Sequence, residues 1–152
     1  MKERIPLQIV GDRLILTAVV ECPSLRIHKQ IMEFVVDTGS PDSYLSNKDV
    51  MKLQIPVRNR SVKGIVDFGG SRFQQVELPK FNMYLLKEDI QNKSYIELKI
   101  SLLALKTTKI SEEKIQVAYS LPSILGLDFL KEQKLSLHVI LTENIAYLQS
   151  EG

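Results

Sequence analysis

The chain has 152 residues, 44% of them hydrophobic and 25% charged, with a formal net charge of +2. This is the composition of a soluble globular protein with a substantial core, and the length fits a single domain over residues 1–152. So small a charge gives no reason to expect nucleic acid or an anionic membrane as partner. Lys48, Lys52, Arg58, Arg60 and Lys63 are the nearest approach to a basic patch. Without interleaved aromatics they read as a solvated face. Cys22 is the sole cysteine, which leaves no disulfide within the chain and suits a buried apolar filler. The only histidines are His28 and His138, in no HExxH or CxxC setting, so no metal or other cofactor is expected. No apolar run approaches the ~18 residues of a membrane span. The opening MKERIPLQIVGD lacks a signal-peptide core, and a cytoplasmic location is expected.

In chain order, most segments read as short strands. Ile5 to Val10 and Arg13 to Glu21 flank the turn signal Gly11-Asp12. Cys22-Pro23-Ser24 interrupts, and a third strand from Ile31 to Val36 runs into Asp37. Ser46 can cap a short helix over Asn47 to Leu53, with Asp49 in its first turn and Pro56 beyond it. Ser61 to Asp67 and Arg72 to Leu78 form the arms of a hairpin around Phe68-Gly69-Gly70-Ser71. Phe81 to Leu86 and Tyr95 to Lys106 are strands separated by the polar loop Lys87 to Ser94. After the polar stretch Thr107 to Lys114, a strand is expected at Ile115 to Tyr119. Leu127 to Glu132 reads as a short helix, and Leu135 to Leu141 with Ile145 to Leu148 as a closing hairpin around Thr142-Glu143-Asn144. The outline is all-β, about nine strands and one or two short helices in a small barrel or sandwich.

Two short motifs carry chemistry. Phe34-Val35-Val36 is an apolar run that ends on Asp37-Thr38-Gly39-Ser40. Gly39 lets the backbone turn and bring its amide to the Asp37 carboxylate, while Thr38 and Ser40 supply hydroxyls. Taken alone, this is an Asp-started turn after a strand. Later, Ile124-Leu125-Gly126 places two large apolar residues and a glycine directly before Leu127-Asp128-Phe129-Leu130.

Together, in this order, DTGS at 37–40 and ILGLDFL at 124–130 resemble the retroviral-type (retropepsin-like) aspartic proteases, in particular their cellular single-lobe members. The resemblance runs over roughly residues 5 to 148. It implies an all-β single-lobe barrel with Asp37 as the catalytic residue. Thr38, Gly39, Ser40, Ile124, Leu125 and Gly126 would support its loop. SVKGIVDFGGSRFQQVELP would be the flap, with Val66, Asp67, Phe68, Gly69 and Gly70 over an extended polypeptide substrate. Amide hydrolysis by carboxyl groups needs two of them, one to activate water and one to protonate the carbonyl oxygen. Val66-Asp67-Phe68-Gly69 echoes the first motif, but it lies too near for a second lobe and lacks the Thr38 hydroxyl. It also spells the kinase Asp-Phe-Gly, without a kinase's length or catalytic loop. The resemblance therefore implies a homodimer in which Asp37 of a second copy supplies the other carboxyl, with Thr38 bonding across to its twin. A Ser40 hydroxyl donating to Asp37 would favour the ionised carboxylate and a more acidic working range than alanine would give. The long closing hairpin implies a dimer contact unlike the interleaved chain ends of the viral enzymes. The competing reading is a catalytically idle dimeric module of the same fold, binding peptide or serving assembly.

Overall fold

A computed structural model describes residues 3–68, 70–88, 94–107 and 118–151. Strands β1 (Arg4–Val10) and β2 (Arg13–Cys22) form the expected opening hairpin, with Gly11 at φ +61 in its turn. Strand β3 starts four residues earlier than the sequence suggests, spanning Ile27–Val36. The break at Pro23 is a single turn of 3-10 helix that ends on Arg26 in the left-handed region, so the chain reverses at once and Cys22 pairs with Ile27. Cys22 is fully buried with its Sγ against the Lys80 carbonyl at 3.6 Å, the filler role expected of it.

After β3 come the two-residue strand β4 (Tyr44–Leu45) and helix α1 (Asn47–Lys52). The Ser46 side chain caps α1 by accepting from the Asp49 amide. Strands β5 (Val62–Phe68) and β6 (Ser71–Glu77) are the glycine-tipped hairpin, and β7 (Phe81–Leu86) pairs with β8 (Tyr95–Ile100). The strand expected from Tyr95 to Lys106 is two strands. It breaks at Ser101-Leu102, and β9 (Leu103–Thr107) leaves β7 to pair with β6 and β4. Buried Leu102 and Ile100 anchor the bend in the core. The strand expected at Ile115 to Tyr119 does not reach Ala118 and Tyr119, which are helical; residues 115–117 lie outside the described residues. Strand β10 (Ser123–Leu125), helix α2 (Leu127–Glu132) and the hairpin β11 (Leu135–Ile140) and β12 (Ile145–Ser150) complete the chain.

The strands join in the order β11-β12-β1-β2-β3-β10-β4-β9-β6-β5, with β7 branching from β2 and carrying β8. The terminal strands β1 and β12 pair with each other within the chain, Ile5 opposite Leu148. The main core gathers Ile5, Leu16, Phe34, Met83, Leu125 and Leu148, all nearly inaccessible. Period-two burial along β3 and β7 puts alternate residues there. A smaller cluster of Tyr44, Phe73, Leu105, Ala118 and Ile124 lies beside it, and Val66 and Phe68 of the hairpin pack against it.

A buried hydroxyl ties α1 to β10. Ser123 Oγ accepts from the Ser46 amide at 2.9 Å and donates to Asp49 Oδ2 at 2.5 Å. Ser123→Ala strands both partners in the interior, which costs about 1–3 kcal/mol. Urea denaturation should show that loss as a lower midpoint with an unchanged slope; a midpoint equal to wild type would show that the network contributes nothing.

Candidate active site

Strand β3 delivers Asp37, and the seam between β3 and β10 holds it. These strands run parallel, Phe34, Val35 and Val36 opposite Ser123, Ile124 and Leu125. The Asp37 amide extends the ladder by one bond, donating to the Leu125 carbonyl at 3.0 Å. The two motifs expected to cooperate are therefore joined by backbone. Gly39 N–H donates to Asp37 Oδ1 at 2.8 Å, and the Ser40 amide closes the turn on the Asp37 carbonyl at 3.2 Å. Gly39 does not adopt a left-handed φ. Its missing side chain serves instead as space, because a Cβ would sit 3.1 Å from Asp37 Oδ1.

Ser40 is buried, but its hydroxyl donates to the Asp42 carbonyl at 2.7 Å rather than to Asp37. That corrects the expected link between Ser40 and the carboxylate. The side chain closes the Ser40–Asp42 turn locally and stiffens the loop from behind. Thr38 is exposed, and among the described residues its hydroxyl has no hydrogen-bond partner.

Gly126 fits beneath this loop. A Cβ there would overlap the carbonyl oxygens of both Ser40 and Asp42. The Leu127 and Asp128 amides, at the start of α2, donate to the Ser40 and Pro41 carbonyls at 2.8 and 3.1 Å. Ser43 Oγ accepts from Gly126 N–H at 2.9 Å and donates to Asp128 Oδ1 at 2.6 Å, while the Ser43 amide donates to Asp128 Oδ2 at 3.2 Å. Asp128 lies inside the second motif with no role that its position reveals, and Ser43 stands outside both motifs. A serine and an aspartate so far apart in the chain carry no local pattern that would link them.

The hairpin is fastened to the same loop. Lys63 Nζ meets Asp42 Oδ1 at 3.1 Å, and Gln75 Nε2 donates to the Tyr44 hydroxyl at 2.8 Å. Tyr44 OH in turn donates to Asp42 Oδ2 at 3.3 Å. Phe68 lies near Tyr44, ring centroids 6.4 Å apart. Gly70 turns the tip at φ +81; Gly69 lies outside the described residues. Asp67 faces solvent and pairs with Arg72 at 3.1 Å, an exposed ion pair of little energetic weight.

A cleft of about 480 Å³ collects Asp37, Thr38, Phe68 and Ile124, with Leu121, Pro122 and Leu137 among its other walls. Val66, Asp67, Gly70, Ser40, Leu125 and Gly126 are not part of its lining. Among the described residues no group of three or more His, Cys, Asp or Glu side chains is arranged to hold a metal, and no helix is long and apolar enough to cross a membrane.

No family model matches the chain, and no curated protein matches it either. Among solved structures it is similar to a retropepsin-like aspartic protease from Rickettsia conorii, with a TM-score of 0.59 and 18% identity over 99% of this chain and 92% of that one. EIAV protease, complexed with the inhibitor HBY-793, is a looser likeness at a TM-score of 0.45 and 16% identity, over 86% of this chain and 96% of that one. The fold is retropepsin-like and all-β.

Two outcomes follow from this geometry. Gly126→Ala forces the Ser40–Asp42 turn off α2 and should cost about 3 kcal/mol or more; an unchanged melting temperature would mean that the crossing has slack. Burial, with the nearby Asp42 charge, pushes the Tyr44 hydroxyl up to about 12. In the unfolded chain it titrates near 10, so its contribution to stability is intact below pH ~10 and is lost as pH rises towards 12. The free energy of unfolding measured from pH 9 to 12 should fall more steeply for wild type than for Tyr44→Phe. Tyr84, also raised to about 12 by its hydrogen bond to Glu21, is common to both proteins. Parallel curves would contradict the assignment.

Proposed function

We propose that the protein is an aspartic endopeptidase that works as a homodimer, with one Asp37 from each chain forming the catalytic pair. The observation that carries this reading is the Asp37 carboxylate, held by Gly39 N–H in a cleft that Phe68 of the glycine-tipped hairpin also lines. Among the described residues, one chain supplies a single such carboxylate. Asp12 also lines the cleft, but it is exposed in the β1–β2 turn, and among the described residues no hydrogen bond or ion pair fixes it towards Asp37.

The second copy has an attachment point. Strand β11 is an edge of the sheet, and unpaired edges invite another strand. Val139, Ile140, Leu141 and Ile145 expose apolar surface on that hairpin, and Leu137 of β11 reaches the Asp37 cleft itself. In the proposed dimer a two-fold contact along this edge, close to the cleft through Leu137, would bring a second Asp37 beside the first. The exposed Thr38 hydroxyl is then available to its counterpart.

Two carboxylates ~3 Å apart repel by roughly 5 kcal/mol at an effective dielectric of ~20, so in mild acid the pair holds one proton. The ionised member takes a proton from a water whose oxygen bonds to the peptide carbonyl carbon. The protonated member gives its proton to the carbonyl oxygen, forming a tetrahedral diol. One diol hydroxyl then returns its proton to the pair as the carbonyl re-forms, the amide nitrogen takes a proton from the pair, and the C–N bond breaks. Water has been added across the bond, and the pair again holds one proton. The extended substrate is gripped by backbone hydrogen bonds from the hairpin and by apolar contacts to Phe68, Leu121 and Ile124.

The test is cleavage of a peptide library between pH 3.5 and 7.5, read by mass spectrometry, for wild type, Asp37→Asn and Asp12→Asn. Asp37→Asn should abolish cleavage while keeping the fold, and Asp12→Asn should retain it. Specific activity should also fall on dilution through the dimer dissociation constant, followed by sedimentation. Full activity in a monomeric sample would rule out a shared site, and a folded dimer inert at every pH would favour the idle peptide-binding module.

A further inference from the structure

The basic residues that looked like one solvated face in the sequence are divided by the fold. Lys63 pairs with Asp42, and Arg60 donates to the Pro56 carbonyl. Lys48 and Lys52 instead join Arg13 around a second cleft, of about 440 Å³, that continues from the first: Arg13, Val35 and Pro122 line both. Ile31, Glu33 and Val35 project from one face of β3 along it. Lys48 and Lys52, one helical turn apart on α1, stand on its other side. Lys52 Nζ donates to the Ile31 carbonyl at 3.4 Å, which holds its ammonium at the end away from Asp37.

The charge of this cleft is one-sided. Arg13, Lys48 and Lys52 are exposed, and among the described residues none pairs with a carboxylate. Glu33 is the one exposed acid in the lining. Asp49 is there as well, but its carboxylate is buried and accepts from Ser123. From Val35 to Ile31 the strand covers ~13 Å, room for about four residues of extended peptide.

We propose that this cleft is a distal subsite for an acidic stretch of the same polypeptide that occupies the Asp37 cleft, a few residues from the bond to be cut. The proposal rests on the reading that the Asp37 cleft receives an extended polypeptide. It makes Lys48 and Lys52 specificity residues outside the catalytic machinery.

The test uses binding, so that it does not depend on catalysis. Fluorescent peptides with a common apolar centre carry a four-residue tail of Glu or of Gln, on either side, and are titrated by anisotropy into the Asp37→Asn protein. For one tail position, the Glu peptide should bind about tenfold more tightly than its Gln twin, and added salt should shrink the difference. Lys48→Glu with Lys52→Glu should erase that preference and leave the Gln peptide's affinity unchanged. Equal affinity for both tails, a preference that survives the double substitution, or failure of every peptide to bind overturns the subsite. So does a single-stranded oligodeoxynucleotide that binds through the two lysines as tightly as the Glu peptide. A wild type that shows the lysine-dependent preference but cleaves nothing sinks the protease reading and leaves the subsite standing.

Discussion

The parallel seam between β3 and β10 is the constraint on which the rest of the structure depends. Parallel neighbours need a long crossover, and here everything from Asp37 to Pro122 is that crossover. The Asp37 amide bonded to Leu125 and the Gly126 backbone pressed beneath the carbonyls of Ser40 and Asp42 close it. At this point the chain passes over itself with no side chain between the strands. Phe34 and Leu125, both fully buried, brace the seam from the core side. The position of Asp37 is therefore set by backbone geometry and apolar packing, with little left to side-chain rotamer choice.

A second consequence concerns the hairpin. Its tip must be able to move if a polymer is to enter, yet its base must return to one place. The base is held by groups of unequal strength. Lys63 to Asp42 is a half-exposed ion pair, weak and screened by salt. Gln75 to Tyr44 is buried, where an unmade bond is costly. Asp42 joins the two, so the loop after Asp37 and the arm of the hairpin share one anchor. The tip itself rests on apolar contact between Phe68 and the small cluster around Tyr44. Such contact is non-directional and can slide or release without leaving a polar group unsatisfied.

Much of this was legible in the residues. The opening turn at Gly11-Asp12, the Ser46 cap and the glycine-tipped hairpin are local patterns whose physics acts within a few positions, while the pairing of DTGS with ILG, more distant in the chain, was legible only through the family resemblance. The parts that escaped reading are non-local. Strand β4 has two residues and no periodicity, and it exists because β10 and β9 offer edges on either side of it. The break at Ser101-Leu102 follows from β8 and β9 needing different partners, which no pattern inside Tyr95 to Lys106 encodes. Ser40 shows the limit most clearly. Its hydroxyl was near Asp37 in sequence, but the turn through Pro41 brought the Asp42 carbonyl nearer, and the local acceptor prevailed.

The pairing of β1 with β12 links folding to assembly on the proposed reading. Had the terminal strands been held back for a partner, the chain would lack part of its core until it dimerised. Instead Ile5 and Leu148 are buried within one copy, so the core closes without a partner, and the proposed contact uses β11, one of the edges that the sheet leaves among the described residues. Dimerisation then adds a carboxylate without having to supply a core. Under this arrangement the folded monomer is a stable, inactive reservoir, and the chain's own concentration becomes the control on activity.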